Sequence, residues 1–196
     1  LRNSGAFSGG ILVAKGGHVL YENYQGFKDL PQKKDVLDES SSLHIASTSK
    51  TFTAIAILQL IQDNKLSLTD KVETFFKGWP YPGITIMDLL NHRSGLPNYI
   101  YFMEPAESKI VKRALTNSDI INYIIQNKPP RHAAPNTHFD YCNTNYLLLA
   151  SVLERVTGLS YPVYLQKAIF NFLGMKNSFV YQPADSNRST PSYDYV

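Results

Sequence analysis

The spacing of apolar positions changes character along this chain. Near the N-terminus, residues 11–15 and 18–24 read as two short β-segments around Gly16-Gly17, a pair able to adopt the positive φ angles of a tight hairpin turn. A polar stretch over 28–42 follows. From residue 47 the period becomes helical. Phe52, Ile55, Ala56, Leu60 and Ile61 mark one stripe, while Ala54, Ile57 and Leu58 make the other faces apolar too. A helix over 47–64 that is hydrophobic nearly all round is expected to lie buried within a domain.

Helix punctuation continues downstream. Thr85-Ile86-Met87-Asp88 resembles a capping box, and Gly95 and Pro97 are expected to end the helix it opens. A third helix is predicted over 118–126, before Pro129-Pro130. A fourth covers 145–157 and closes at Gly158; a last runs from the Ser160 cap through Phe172, with Gly174 beyond it. From 182 to 196 the chain is polar and aperiodic. The reading is one α+β domain: a sheet hairpin over 1–27, a helical region over 43–180 and a loop-like end over 181–196. A lone two-stranded hairpin is marginal in water, so these strands need further sheet partners.

Composition narrows the classes. With 196 residues, 43% of them hydrophobic and 18% charged, the chain can bury a real core. The net charge of +3 is spread along the sequence, which argues against nucleic-acid binding. The single cysteine, Cys142, excludes an internal disulfide and a cysteine-rich zinc site. No apolar run reaches membrane-spanning length. His18, His44, His132 and His138 show no metal-ligand spacing.

The candidate chemistry lies at the start of the most apolar helix. Ser47-Thr48-Ser49-Lys50 is the one S-x-x-K in the chain. Serine and lysine three residues apart share one side of a helical turn, and a helix N-terminus favours developing negative charge. This suits a serine nucleophile with a neighbouring amine. The same spacing also fits a capping serine beside an exposed lysine. Tyr141-Cys142-Asn143 is a Y-x-N in a short segment just ahead of the fourth helix, where a phenol and a carboxamide can both project into a cleft. A second Y-x-N, Tyr21/Asn23, lies inside the hairpin and reads as structural.

Three blocks decide between these alternatives: residues 44–54 around Ser47, residues 89–97 (Leu-Leu-Asn-His-Arg-Ser-Gly-Leu-Pro), and residues 139–146 around Tyr141. Together with Leu173-Gly174-Met175, and in this order, they resemble the serine β-lactamase-like family of class C β-lactamases, D-alanyl-D-alanine carboxypeptidases and related esterases. The resemblance implies a β-lactamase/transpeptidase-like fold. It implies Ser47 as the acylated nucleophile, Lys50 beside it, Tyr141 sharing the proton transfer and Asn143 holding the substrate. Whether Lys50 or Tyr141 is the base stays open. No metal or organic cofactor is implied, and the substrate would be a small molecule or a peptidoglycan-type peptide. A periplasmic or secreted setting follows from the same resemblance. His92 and Cys142 are expected to be structural.

The family's third motif, a Lys-Thr-Gly or His-x-Gly on a later strand, has no counterpart here; Val156-Thr157-Gly158 lacks the basic residue. The strands and C-terminal helix that complete the family's sheet are not found in this sequence either. One missing oxyanion donor costs roughly 10²–10³ in turnover. The expectation is an impaired catalyst, completed by a C-terminal fragment or a partner chain. The competing expectation is a non-catalytic binding or scaffold protein on the same fold.

Overall fold

The computed structural model describes residues 7–103 and 115–192, and the chain forms two compact units. Residues 1–47 and 170–196 belong to the first, residues 48–169 to the second.

In the first unit, β1 (Gly9–Lys15) and β2 (His18–Gln25) pair antiparallel. Gly16 and Gly17 take φ of 58° and 79°, the two positive values that a twist-compatible two-residue hairpin requires. The register places Ile11 opposite Asn23 and Val13 opposite Tyr21, so the Tyr21/Asn23 pair sits within the ladder, as expected. The polar stretch after the hairpin holds a second ribbon that alternation had not signalled, β3 (Phe27–Asp29) with β4 (Lys34–Val36). It is too short and too polar to leave a period-2 pattern. The Leu37 N–H donates to the Gly26 carbonyl beside it, and Leu37 is buried. Leu12, Val19 and Leu20 of the hairpin remain more than half exposed.

The second unit is helical. A single 3₁₀ turn, Ala46–Ser49, in which the chain passes from the first unit to the second, leads directly into α1 (Lys50–Gln62). The predicted helix therefore begins as a tight 3₁₀ turn, a common way for an α-helix to start. The expectation that α1 is buried all round is corrected: Thr53, Ala56, Ile57 and Leu60 are buried, whereas Ile55 and Leu58 are 40% and 51% exposed. The short helices α2 (Val72–Phe75) and α3 (Ile86–Leu90) follow, then α4 (Asn117–Asn127), α5 (Asn143–Thr157) and α6 (Tyr161–Leu165).

The central helix is α5, and α1, α3, α4 and α6 all pack on it. Nearly every α5 residue from Thr144 to Leu153 is buried, and Leu148, Leu149, Val152 and Leu153 have no exposed surface. Ile57 of α1, Leu89 of α3 and Ile124 of α4 complete this core. At roughly 1.5–3 kcal/mol for each fully buried aliphatic side chain, this cluster is the dominant stabilising term of the unit.

Of the two expected caps, the box at α3 is present, whereas Ser160 stands at the N-cap of α6 without a side-chain capping bond; a further box at α4 was not expected. Thr85 and Asp88 form a reciprocal capping box at α3, and Thr116 and Asp119 form another at α4. Other boundaries differ from expectation. The last helix changes after α6 into a π-turn over Gln166–Phe170. And α3 ends well before Gly95, at Asn91, because His92 takes the left-handed conformation with φ 54°.

Candidate active site

The end of α3 is the local cause of the site's geometry. The His92 N–H donates to the Leu89 carbonyl (3.3 Å) and the Arg93 N–H to the Asp88 carbonyl (2.8 Å). These two bonds make a Schellman closure with histidine, rather than glycine, at its left-handed position. The strand of chain after it then binds the segment that leads into α5. The Asp140 N–H donates to the His92 carbonyl (2.8 Å), and the Asn136 N–H to the Arg93 carbonyl (2.7 Å). The Arg93 guanidinium reaches the Asn136 side-chain and main-chain oxygens at 2.9 and 3.0 Å. The His132 N–H donates to the Gly95 carbonyl (3.0 Å). Gly95 has φ 66°, and a β-carbon there would overlap the Ala133 carbonyl, so glycine is required.

This stitching delivers Tyr141 to the side chain of Lys50. The Lys50 Nζ lies 5.0 Å from the Tyr141 ring centroid and 5.8 Å from that of Tyr146. Both distances are within the range of cation–π attraction. Tyr141 is 44% exposed, while Lys50 is half-buried. Of the four residues singled out in the sequence, the structure thus brings Lys50 and Tyr141 together. Ser47 is exposed and sits in the 3₁₀ turn whose next element is α1, with Lys50 as that helix's first residue. Asn143 is not in the loop, as expected, but is the first residue of α5, and it is half-buried. The helix starts earlier than periodicity suggested because Asn143 and Thr144 are polar and carry no apolar stripe. Thr144 is fully buried instead through its hydroxyl, which donates to the Pro97 carbonyl (2.7 Å) and accepts from the Tyr99 N–H (3.0 Å).

Beneath Tyr141 lies a buried polar cluster that sequence spacing did not reveal. The His92 Nδ1 accepts from the Cys142 N–H and from the Asn145 Nδ2, each at 3.2 Å. The Asn145 Oδ1 accepts from the Ser94 hydroxyl at 2.6 Å, and Ser94 in turn accepts from the Leu96 N–H at 3.1 Å. His92, Ser94 and Asn145 are all buried. With two donors converging on Nδ1, the imidazole proton is assigned to Nε2. Burial first, and the Lys50 charge second, hold the His92 pKa below its usual value, so the ring is neutral near neutral pH. The ring packs against two tyrosines, both tilted to it, with centroids 4.5 Å from Tyr141 and 5.1 Å from Tyr146. Burial also pushes the Cys142 thiol and the Tyr146 phenol above their ordinary values. Cys142 packs under the segment and its thiol reaches the Leu96 carbonyl, as a structural residue would. Among the described residues, no group of three or more His, Cys, Asp or Glu side chains could hold a metal ion.

Comparison with known proteins identifies the fold and the family. A penicillin-binding protein from Bacillus halodurans superposes with a TM-score of 0.79 at 28% identity, covering 92% of this chain and 54% of its own. EstCE1, described as a hydrolase with promiscuous acyltransferase activity, superposes with a TM-score of 0.78 at 26% identity, covering 95% of this chain and 52% of its own. The fold is therefore that of the penicillin-binding and β-lactamase-like proteins. Penicillin-binding protein 4* of Bacillus subtilis (strain 168) is 36% identical over 191 residues. That match takes in 96% of this chain and 41% of the relative, so the chain spans about two fifths of that relative's length. Residues 2–195 match the protein-family model described as Beta-lactamase, and the chain belongs to that hydrolase family.

Proposed function

We propose that this chain carries the nucleophile and the proton-transfer pair of a serine hydrolase that works through an acyl-enzyme. The observation that supports it is the Lys50 Nζ held 5.0 Å from the Tyr141 ring centroid, with Ser47 one turn ahead of Lys50 in the chain. The Ser47 oxygen attacks the substrate carbonyl while its proton passes to the Lys50–Tyr141 pair. The pair returns a proton to the departing amine or alcohol, and an ester to Ser47 remains. Water then attacks that ester, giving up its proton to the same pair, and the acid product leaves with Ser47 restored. Asn143, at the start of α5, holds the substrate. β-Lactams, D-Ala-D-Ala peptides and esters all meet these demands, and a periplasmic or secreted site of action accords with them.

The test is an intact-mass measurement after incubation with a penicillin, beside Ser47→Ala. An adduct on the parent alone is the expected result. No adduct on folded parent protein would overturn the reading and favour a non-catalytic binding protein on this fold.

A further inference from the structure

We infer that His92 is a positioning residue for Tyr141: its imidazole anchors the backbone of the Y-x-N segment at the Cys142 N–H while its ring face supports the phenol. The inference rests on the proposed role of Tyr141.

The first argument is conformational. His92 occupies the left-handed closing position of α3, φ 54°, where glycine is favoured and a residue with a β-carbon is strained. Backbone closure alone would be better served by glycine or asparagine. The side chain must therefore offset that strain through what it touches.

What it touches is the segment around Tyr141 on three sides. Nδ1 takes the Cys142 N–H, an amide that is buried and has its partner in this ring. The His92 main-chain carbonyl takes the Asp140 N–H at 2.8 Å. The amides on either side of Tyr141 are thus both held by one residue, and the Tyr141 ring lies on the imidazole at 4.5 Å. Asn145, one turn into α5, locks the ring from behind through its Nδ2, and the Ser94 hydroxyl fixes which way that amide faces. Two main-chain bonds and one ring contact leave the phenol few alternative positions. The Lys50 ammonium above it then meets the ring in one place. The Nδ1 lone pair is not free to act as a general base for the reaction, because two donors already occupy it.

The experiment uses the whole chain with His92→Asn and His92→Gly, which both accept the left-handed backbone and so keep α3 closed. The first readout needs no catalysis. In ¹⁵N- and tyrosine-labelled protein, the Cys142 amide of the parent is expected to shift as His92 titrates. In both variants the nuclear Overhauser contacts between the Tyr141 ring and the Lys50 side chain are expected to weaken, a change that loss of the imidazole cannot cause unless Tyr141 moves. The second readout is the rate of penicillin adduct formation, expected to fall at least about tenfold in both variants with helical content unchanged. Tyr141–Lys50 contacts and adduct rates that match the parent in the folded variants would overturn the inference. If the parent forms no adduct, the proposed reaction fails while the Tyr141–Lys50 contacts still decide whether His92 holds Tyr141.

Discussion

The Lys50 ammonium stands over the face of the Tyr141 ring, 5.0 Å from its centroid, so the two residues attract each other through the ring. That separates packing from chemistry. Tyr141→Phe keeps the ring under the cation and removes only the oxygen. Thermal stability is expected to stay within about 0.5 kcal/mol of the parent, as for a half-exposed site without a cavity. Acylation by a penicillin is expected to slow by roughly 10²-fold or more, the usual worth of a positioned proton-transfer group. Stopped-time intact-mass spectra and a urea titration of the same preparation check both halves.

Protonation of His92 should destabilise the helical unit. Its pKa is lowered in the folded state, chiefly by burial and then by Lys50, from an ordinary value of 6.5. The groups facing it are Lys50 on α1, Asp140, Tyr141 and Cys142 on the segment before α5, and Tyr146 on α5. Because the unfolded chain binds the proton more readily, stability from this group is complete above pH 6.5 and is lost as pH falls below it. A urea midpoint that falls from pH 7.5 to pH 5.5, with a smaller fall in His92→Asn, is the expected result.

Gly95→Ala should cost more than a helix substitution. The new β-carbon would meet the Ala133 carbonyl, and φ is 66°. A loss of at least about 2 kcal/mol is expected from backbone strain and displacement together. Chemical denaturation measures it, and loss of protection at the His132 amide, which donates to Gly95, would locate it.

Ser94→Ala removes the donor that satisfies the Asn145 Oδ1 in a buried setting. A loss of about 1–3 kcal/mol is expected, since the carboxamide oxygen is then left without that partner. An equilibrium urea curve for this variant beside Asn145→Ala and the double variant would show strong non-additivity, as expected for residues of one network.

Leu149→Ala, in the fully buried face of α5, is expected to destabilise by about 2–5 kcal/mol. The same change at Leu58, which is 51% exposed on α1, should cost well under 1 kcal/mol by thermal denaturation. The contrast checks that α5, and not α1, is the central helix.

Local chemistry made several elements legible from the sequence. The Gly16-Gly17 turn, the Thr85/Asp88 box and the close of α5 at Gly158 depend on residues within one or two turns of each other, and they stand where spacing put them. Ser47 and Lys50 were found for the same reason: their relation is set by one helical turn. Tyr141 could be singled out only with the help of the surrounding blocks, because its partner lies in another helix. The β3–β4 ribbon escaped because three-residue strands of mixed polarity carry no period.

The sequence by itself determined the longer helices, the α3 capping box, the family and the candidate nucleophile, since each depends on near neighbours or on an ordered set of short blocks; it did not signal the short α2. Only the tertiary structure decided that α5 is the buried centre and that α1 keeps an open apolar edge. It alone placed Lys50 over Tyr141 and gathered His92, Ser94 and Asn145 beneath the Y-x-N segment. Those contacts join residues some 50 positions apart, such as Cys142 with His92 and Asn145 with Ser94. No local period encodes such pairs. They form because a left-handed turn at His92 aims one loop at another, and because buried donors and acceptors must find partners there.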